Sequence, residues 1–455
     1  MIFNPNIYIQ KNTSSSPLSV FRFFFGFLMC ISIIRFWSKG WIKELYIDPT
    51  FHFSYYGFEW VKPLGDTTYL LFFICFISSF FICIGLKYRF SIILFFLTFT
   101  YIELMDKTTY LNHYYFVSVL SFLMIFLPAN ASFSIDNIIN KKSYQKIPKW
   151  TIDSIKLLIS IVYIYAAIAK VNSDWLFNAM PLKIWLTSNY DLVFLGDLFQ
   201  KKWVHYFMSW SGMIYDFCIP FLLLNSRTRF FAFLLVVLFH ALTKILFPIG
   251  MFPYIMILSS LIFFSPNFHD KIIILFKKVI SLIKPISIEF KKVEFFRFTQ
   301  QKPILYIVSV FFVFQFLFPF RYILYPGELF WNEQGYRFSW RVMLVEKTAE
   351  TTFRIVNPNN NKSITILNSD FLTEFQEKQM SFQPDMILEY AHYLGDQYLW
   401  FGEGGEVQVF TDSFVALNGR KSQRFINNSV DLFSEKKSLR NKKWILPLKD
   451  EIKGF

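Results

Sequence analysis

TIDSIKLLISIVYIYAAIAKVNSDW, residues 151–175, decides how this chain is read. Residues 151–170 are mostly apolar and long enough for a helix that crosses about 30 Å of hydrocarbon. The run ends on an amine, Lys170, and Asp174 and Trp175 follow within about a helical turn. A lysine at membrane depth is costly and is a functional hypothesis by default. It also has a bland reading: near a helix end the stem stays in the apolar layer and the ammonium snorkels to the interface.

The rest of the chain repeats the pattern. It has 455 residues, 54% of them apolar and 17% charged, with 61 phenylalanines. A soluble chain carries nearer a quarter charged residues. Apolar segments fall near 19–38, 67–86, 90–105, 109–128, 151–170, 204–224, 230–247, 250–265 and 303–325. They predict a polytopic α-helical membrane protein with about nine transmembrane helices, residues 1–325. Residues 326–455 read as a small extracytoplasmic α+β region.

Loop charge sets the direction. With the N-terminus cytoplasmic, the inside loops hold Lys87 and Arg89, then Lys141, Lys142, Lys146 and Lys149, then Arg227 and Arg229, and last the strongly basic 266–302. The outside loops are leaner. The net charge of +14 is thus explained by topology, and nucleic acid is not an expected partner. The polar start of the chain has no signal-peptide pattern. Cys30, Cys75, Cys83 and Cys218 all lie in apolar segments and form no CxxC pair, so neither a disulfide framework nor a metal site is expected.

In the C-terminal region, TTFRIV and SITIL flank the loose turn Asn-Pro-Asn-Asn-Asn at 357–361 and read as a hairpin. Residues 369–394 read as two helical parts, with Pro384 at a helix start. EVQVF (406–410) and FVAL (414–417) read as two strands. The aromatic-rich stretches 39–66 and 175–203 are expected at the outer interface, roofing a cavity.

Few polar groups sit at membrane depth. In DKTTYLNH, Asp106 and Lys107 suit a short outside loop, whereas Asn112 and His113 already belong to the next apolar run. A buried imidazole needs a partner or a task. His240 lies deep in FHALTKILFPIGMFPY, beside a Pro248–Gly250–Pro253 break of the kind that lines cavities in membrane proteins. No HExxH, GxSxG, P-loop or dinucleotide fingerprint is present. A desolvated amine is a competent base near neutral pH, so Lys170, His113 and His240 are the candidate catalytic residues.

At these residues the chain resembles the vitamin K-dependent gamma-glutamyl carboxylases and their relatives with a horizontally transferred transmembrane domain. The resemblance is carried by LSVFRFFFGFLM (18–29), DKTTYLNHYYF (106–116), AIAKVNSDW (167–175), FHALTKILFPIGMFPYIM (239–256), NEQGYRFSWRVML (332–344), and more weakly DMILEYA (385–391) and LNGRKSQRF (417–425). It implies oxidation of vitamin K hydroquinone by O2 to the 2,3-epoxide. The strong base so formed takes a γ-proton from a protein glutamate, and CO2 is captured. It assigns the initiating base to Lys170 and an assisting role to His113, without a metal. Asn112, Trp175, Arg420, Arg424 and Tyr393 are then candidate substrate-binding residues, the two arginines because guanidinium groups hold carboxylates in a fork. The expected partners are membrane lipid, the quinone, and a glutamate-containing protein or peptide on the extracytoplasmic side. Compared with the animal enzymes the motif has Ala169 in place of a first lysine, and the chain looks like a short form with little of their luminal domain. Epoxidation uncoupled from carboxylation is therefore an alternative, as is a non-catalytic quinone- or lipid-binding protein or transporter.

Overall fold

The computed structural model describes residues 5–193, 195–283, 291–402 and 405–454, which leaves part of the basic 266–302 segment outside the described residues. Among the described residues, six helices are long and apolar enough to cross a membrane: Ser16–Ser38, Gly65–Ile84, Lys149–Ala169, Lys202–Leu224, Arg229–Leu246 and Gln301–Leu324.

Three of the nine expected segments are shorter. Tyr88–Leu104 has 17 residues, Asn112–Ile125 has 14 and Phe252–Ser260 has 9. At 1.5 Å per residue the second of these reaches only about 21 Å. Local chemistry accounts for the shortfall. The Asp106 carboxylate accepts from the Thr108 backbone N–H and sets a 3-10 turn at Lys107–Thr109, which delays the next helix to Asn112. Pro248 and Gly250, the latter at φ +60°, stop the helix that carries His240, and Pro253 sits in the first turn of the next.

Close helix packing rests on Gly26. A Cβ there would lie 2.3 Å from the backbone nitrogen of Cys83 on the neighbouring helix. Gly26→Ala is therefore expected to push the two backbones apart and cost about 1–3 kcal/mol, read as a lower unfolding temperature in detergent. Four residues earlier on the same helix, Arg22 is fully buried. Its guanidinium donates to the carbonyls of Ile82, Cys83 (2.6 Å), Ala129 (3.1 Å) and Phe133. A cation there satisfies the free carbonyls of a helix C-terminus.

At that end of the bundle, Asn12–Ser14, Lys142–Pro148 and Lys291–Phe295 form one three-stranded sheet. Three segments assigned to the same side by loop charge thus meet. At the opposite end lies a four-stranded antiparallel sheet in the order Ser363–Ile366, Lys347–Val356, Gln408–Leu417, Gln423–Arg424. The predicted hairpin is there, with Val356 opposite Ser363. The two strands expected at 406–410 and 414–417 are instead one. Thr411, Asp412 and Ser413 resemble a turn in sequence, but they pair with Phe353, Thr352 and Thr351 and alternate buried and exposed. Helix Pro384–Gln397 covers the sheet, and Glu374–Met380 packs against that helix and the 107–109 turn.

One apolar core crosses from bundle to sheet. Phe53, Ala169, Trp175 and Leu246 belong to the same buried cluster as Phe353, Leu394 and Leu417. The C-terminal region is therefore docked on the mouth of the bundle. The 39–66 stretch lies between the two. The Phe53 carbonyl accepts from the Lys107 backbone N–H at 2.7 Å, and Ser54 donates to Glu389.

Candidate active site

Lys170 caps the C-terminus of Lys149–Ala169, and the chain turns sharply there. Asn172 makes the turn: its side chain donates to the Ala169 carbonyl and accepts from the Trp175 backbone N–H, both at 2.9 Å, starting the short helix Ser173–Phe177. The turn points Lys170 inward, not to the headgroups. The residue is 7% exposed, and its Nζ donates to Asp216 Oδ2 at 2.7 Å and to the Ala166 carbonyl at 3.2 Å. The snorkelling reading is thereby excluded. A second carboxylate close by, Asp174, is turned away.

Asp216 is the residue that sequence reasoning missed. It sits in MSWSGMIYDFCIPFLLL of the Lys202–Leu224 helix, and a lone carboxylate in such a run was signal enough. Ser209, Gly212 and Asp216 fall on one helix face at the i, i+3, i+7 spacing. Trp175 lies on that face. Its Nε1 donates to the Ser209 carbonyl at 2.8 Å, and its ring passes close over Gly212. The ring centroid is 5.4 Å from Lys170 Nζ. Trp175 thus acts as a wall beside the amine.

Lys170, Asp216, Trp175 and His240 line one cavity of about 100 Å³, completed by Tyr163, Trp185, Phe239, Phe247, Phe252 and Met343. His240 is 1% exposed. Its Nε2 is 3.2 Å from the Tyr163 hydroxyl, and its Nδ1 has no hydrogen-bond partner among the described residues. An apolar, ring-walled cavity with an amine at one side and an unpaired imidazole nitrogen at another suits a flat lipophilic molecule carrying oxygens.

His113 is not in that cavity. Phe252 packs against both imidazoles, its ring centroid 6.0 Å from that of His113 and 5.7 Å from that of His240. His113 is buried against Gly250, and its Nε2 is also without a partner among the described residues. The Pro-Gly break therefore brings both histidine motifs against one phenylalanine.

The expected substrate-binding residues fare differently. Trp175 is at the cavity. Asn112 is used internally: its Nδ2 donates to the Arg341 carbonyl at 2.9 Å, and its Oδ1 accepts from the Tyr110 hydroxyl. Tyr393 packs tilted against Phe51, with ring centroids 4.5 Å apart, and lines neither principal cavity. Arg420 does grip a carboxylate in a fork, but it belongs to this chain. Nη1 and Nη2 meet Asp174 at 2.6 and 2.7 Å, and Nε meets Asp450 at 2.7 Å. These hydrogen bonds hold the guanidinium even further above its ordinary value and pull the Asp450 carboxyl below its own. Arg424 is on the sheet edge, paired with Asp412, and both are substantially exposed. Arg424→Ala is expected to change stability by no more than about 0.5 kcal/mol, a shift near the error of a thermal melt.

Among the described residues no group of three or more His, Cys, Asp or Glu side chains is placed to hold a metal. No solved structure matches the chain. Residues 10–268 match the family model of the HTTM domain, and residues 300–451 match that of the vitamin K-dependent gamma-carboxylase, lumenal domain. The second match begins at the N-cap of the last long apolar helix and marks the C-terminal region as lumenal. With the first model spanning more than half of the sequence and the second following it, the chain belongs to the vitamin K-dependent gamma-carboxylase family.

Proposed function

We propose that this membrane protein is a carboxylase-type enzyme in which Lys170 takes a proton from a vitamin K hydroquinone. Its oxygenation is coupled to carboxylation of a glutamate side chain presented from the lumenal side, with the N-terminus cytoplasmic. One observation carries the reading: a buried amine, compensated by Asp216, opens on an apolar cavity that also holds His240.

When bound, the hydroquinone, oxidised by O2, would supply the strong base that removal of a glutamate γ-proton requires. The chain's own residues do the rest. In the accepting state Nζ is an amine held by its hydrogen bond to Asp216. A hydroxyl O–H bond breaks, the electron pair stays on that oxygen, and the new N–H bond leaves an ammonium beside Asp216 at 2.7 Å. That carboxylate offsets the charge which the apolar surroundings would otherwise penalise. With the Tyr163 hydroxyl donating to Nε2, His240 presents Nδ1–H as a donor to a second oxygen. The rings of Trp175, Phe239 and Phe252 keep water from the reacting atoms.

The test supplies reduced vitamin K and O2 to the protein in nanodiscs and measures epoxide. A glutamate peptide and labelled bicarbonate are then added. Epoxide together with labelled peptide is the expected outcome. Epoxide without label would leave the oxygenation standing and remove the carboxylation; no epoxide would remove both.

A further inference from the structure

Pro266–Ile283 opens the segment that reads in sequence as a basic inside loop, yet it folds as an 18-residue helix. It is not among the helices long and apolar enough to cross a membrane. Phe276 seats it on the bundle, its ring centroid 4.7 Å from that of Phe23 and 6.0 Å from that of Phe133. Phe23 lies early in Ser16–Ser38, about 10 Å from the start of that helix at 1.5 Å per residue. The contact is thus at interfacial depth, where an amphipathic helix lies flat instead of spanning.

The helix is sorted by face. At 3.6 residues per turn, His269, Ile273 and Phe276 share one arc, and His269 is buried there. Leu275, Val279 and Leu282 share an arc about a third of a turn away. Leu275 is 61% exposed and Leu282 85%. Lys271 and Lys278 border this apolar arc on the side away from the bundle, and Lys277 lies opposite it. All three lysines are exposed, and none has a carboxylate within 4.0 Å among the described residues. Asp270, the one acid of the helix, falls on the Lys277 side.

An apolar arc with ammonium groups along its border matches a charged bilayer surface. The leucines enter the acyl layer, the lysine stems run beside them, and the ammonium groups reach the phosphates. A polar protein partner would answer the lysines and leave the leucines bare. A second copy of the chain would answer the leucines and leave the lysines unpaired. We propose that Pro266–Ile283 docks on anionic phospholipid and selects it over zwitterionic lipid, with Lys271 and Lys278 neutralising the headgroup charge. Placing that lipid in the cytoplasmic leaflet rests on the proposed direction of the chain; the selection for negative charge does not.

The experiment uses the full chain, without quinol, in nanodiscs of phosphatidylcholine with a minority of phosphatidylglycerol. A photoactivatable form of one lipid or the other is included in separate preparations, and labelled peptides are read by mass spectrometry. Each ammonium at an anionic surface is worth about fivefold in local lipid. Residues 268–283 are therefore expected to take about tenfold more label from the phosphatidylglycerol probe, while the middle of Arg229–Leu246 takes label equally from both. Lys271→Gln/Lys278→Gln is expected to bring the ratio close to one, and Lys271→Arg/Lys278→Arg to keep it. Equal labelling by the two probes in wild type would overturn the proposal, and so would an unchanged ratio in the folded double glutamine variant. Cross-links between two copies at this helix, without lipid label, would overturn it too. Both faces of the disc carry the same lipids and no quinol is present, so failure here leaves the epoxide test and the chain direction untouched.

Discussion

Lys170→Ala is expected to lower quinol-dependent epoxide formation by about 10²–10⁴-fold, the range for loss of a positioned base. It is also expected to destabilise the bundle. Asp216, 5% exposed, would lose the only cation it pairs with among the described residues, and breaking one side of a buried pair costs about 3–5 kcal/mol. The two effects separate with two further variants. Lys170→Arg keeps a cation beside Asp216, but a guanidinium does not give up its proton at working pH. It is expected to restore much of the stability and none of the activity. Lys170→Met with Asp216→Leu replaces the pair by apolar groups of similar size, a change that is often neutral or stabilising. That protein is expected to fold and make no epoxide. Activity retained in Lys170→Arg would instead make the Lys170–Asp216 pair purely structural and put the initiating base elsewhere.

Arg420→Ala is expected to undo the docking of the lumenal region. Asp174 is 1% exposed and accepts from both Arg420 amino groups and from Asn418 at 2.9 Å. Without the guanidinium it keeps one neutral donor, and the expected loss is again about 3–5 kcal/mol. The clamp ties the turn after Lys170 to the end of strand Gln408–Leu417, and a β-bridge between Asn172 and Gly454 fixes the same turn. Limited proteolysis is expected to cut residues 326–455 faster in Arg420→Ala than in wild type, with no such change in Arg424→Ala. Equal cutting of the two variants would mean that the Asp174 clamp does not hold the region.

What the sequence made legible follows the cost of the groups concerned. Lys170 and His240 stood out because polar groups at membrane depth are expensive, and both face the cavity. Asp216 carries the same signal, but it lies 46 positions from Lys170, whereas Asp174, near in sequence, turns toward Arg420. Lys107 read as a loop residue because its partners, Asp385 and Glu389, lie some 280 positions away. Arg420 and Arg424 look alike in NGRKSQR; only the tertiary fold gives one a buried carboxylate and the other an exposed strand edge. Segment count was set by length and local breaks. Of the nine expected spans, six are helices long enough to cross among the described residues; hydropathy did not show the 3-10 turn at 107–109 or the Pro-Gly break that shorten two of the others.

The central claim is that a lipophilic quinol binds between Lys170, Trp175 and His240. Its most direct test is photolabelling of the protein in nanodiscs with a photoactivatable naphthoquinone, followed by peptide mass spectrometry. Labels are expected in residues 162–185 and 239–256, lost on competition with vitamin K. Labels confined to the outer surface of Gln301–Leu324, unaffected by vitamin K, would contradict the account.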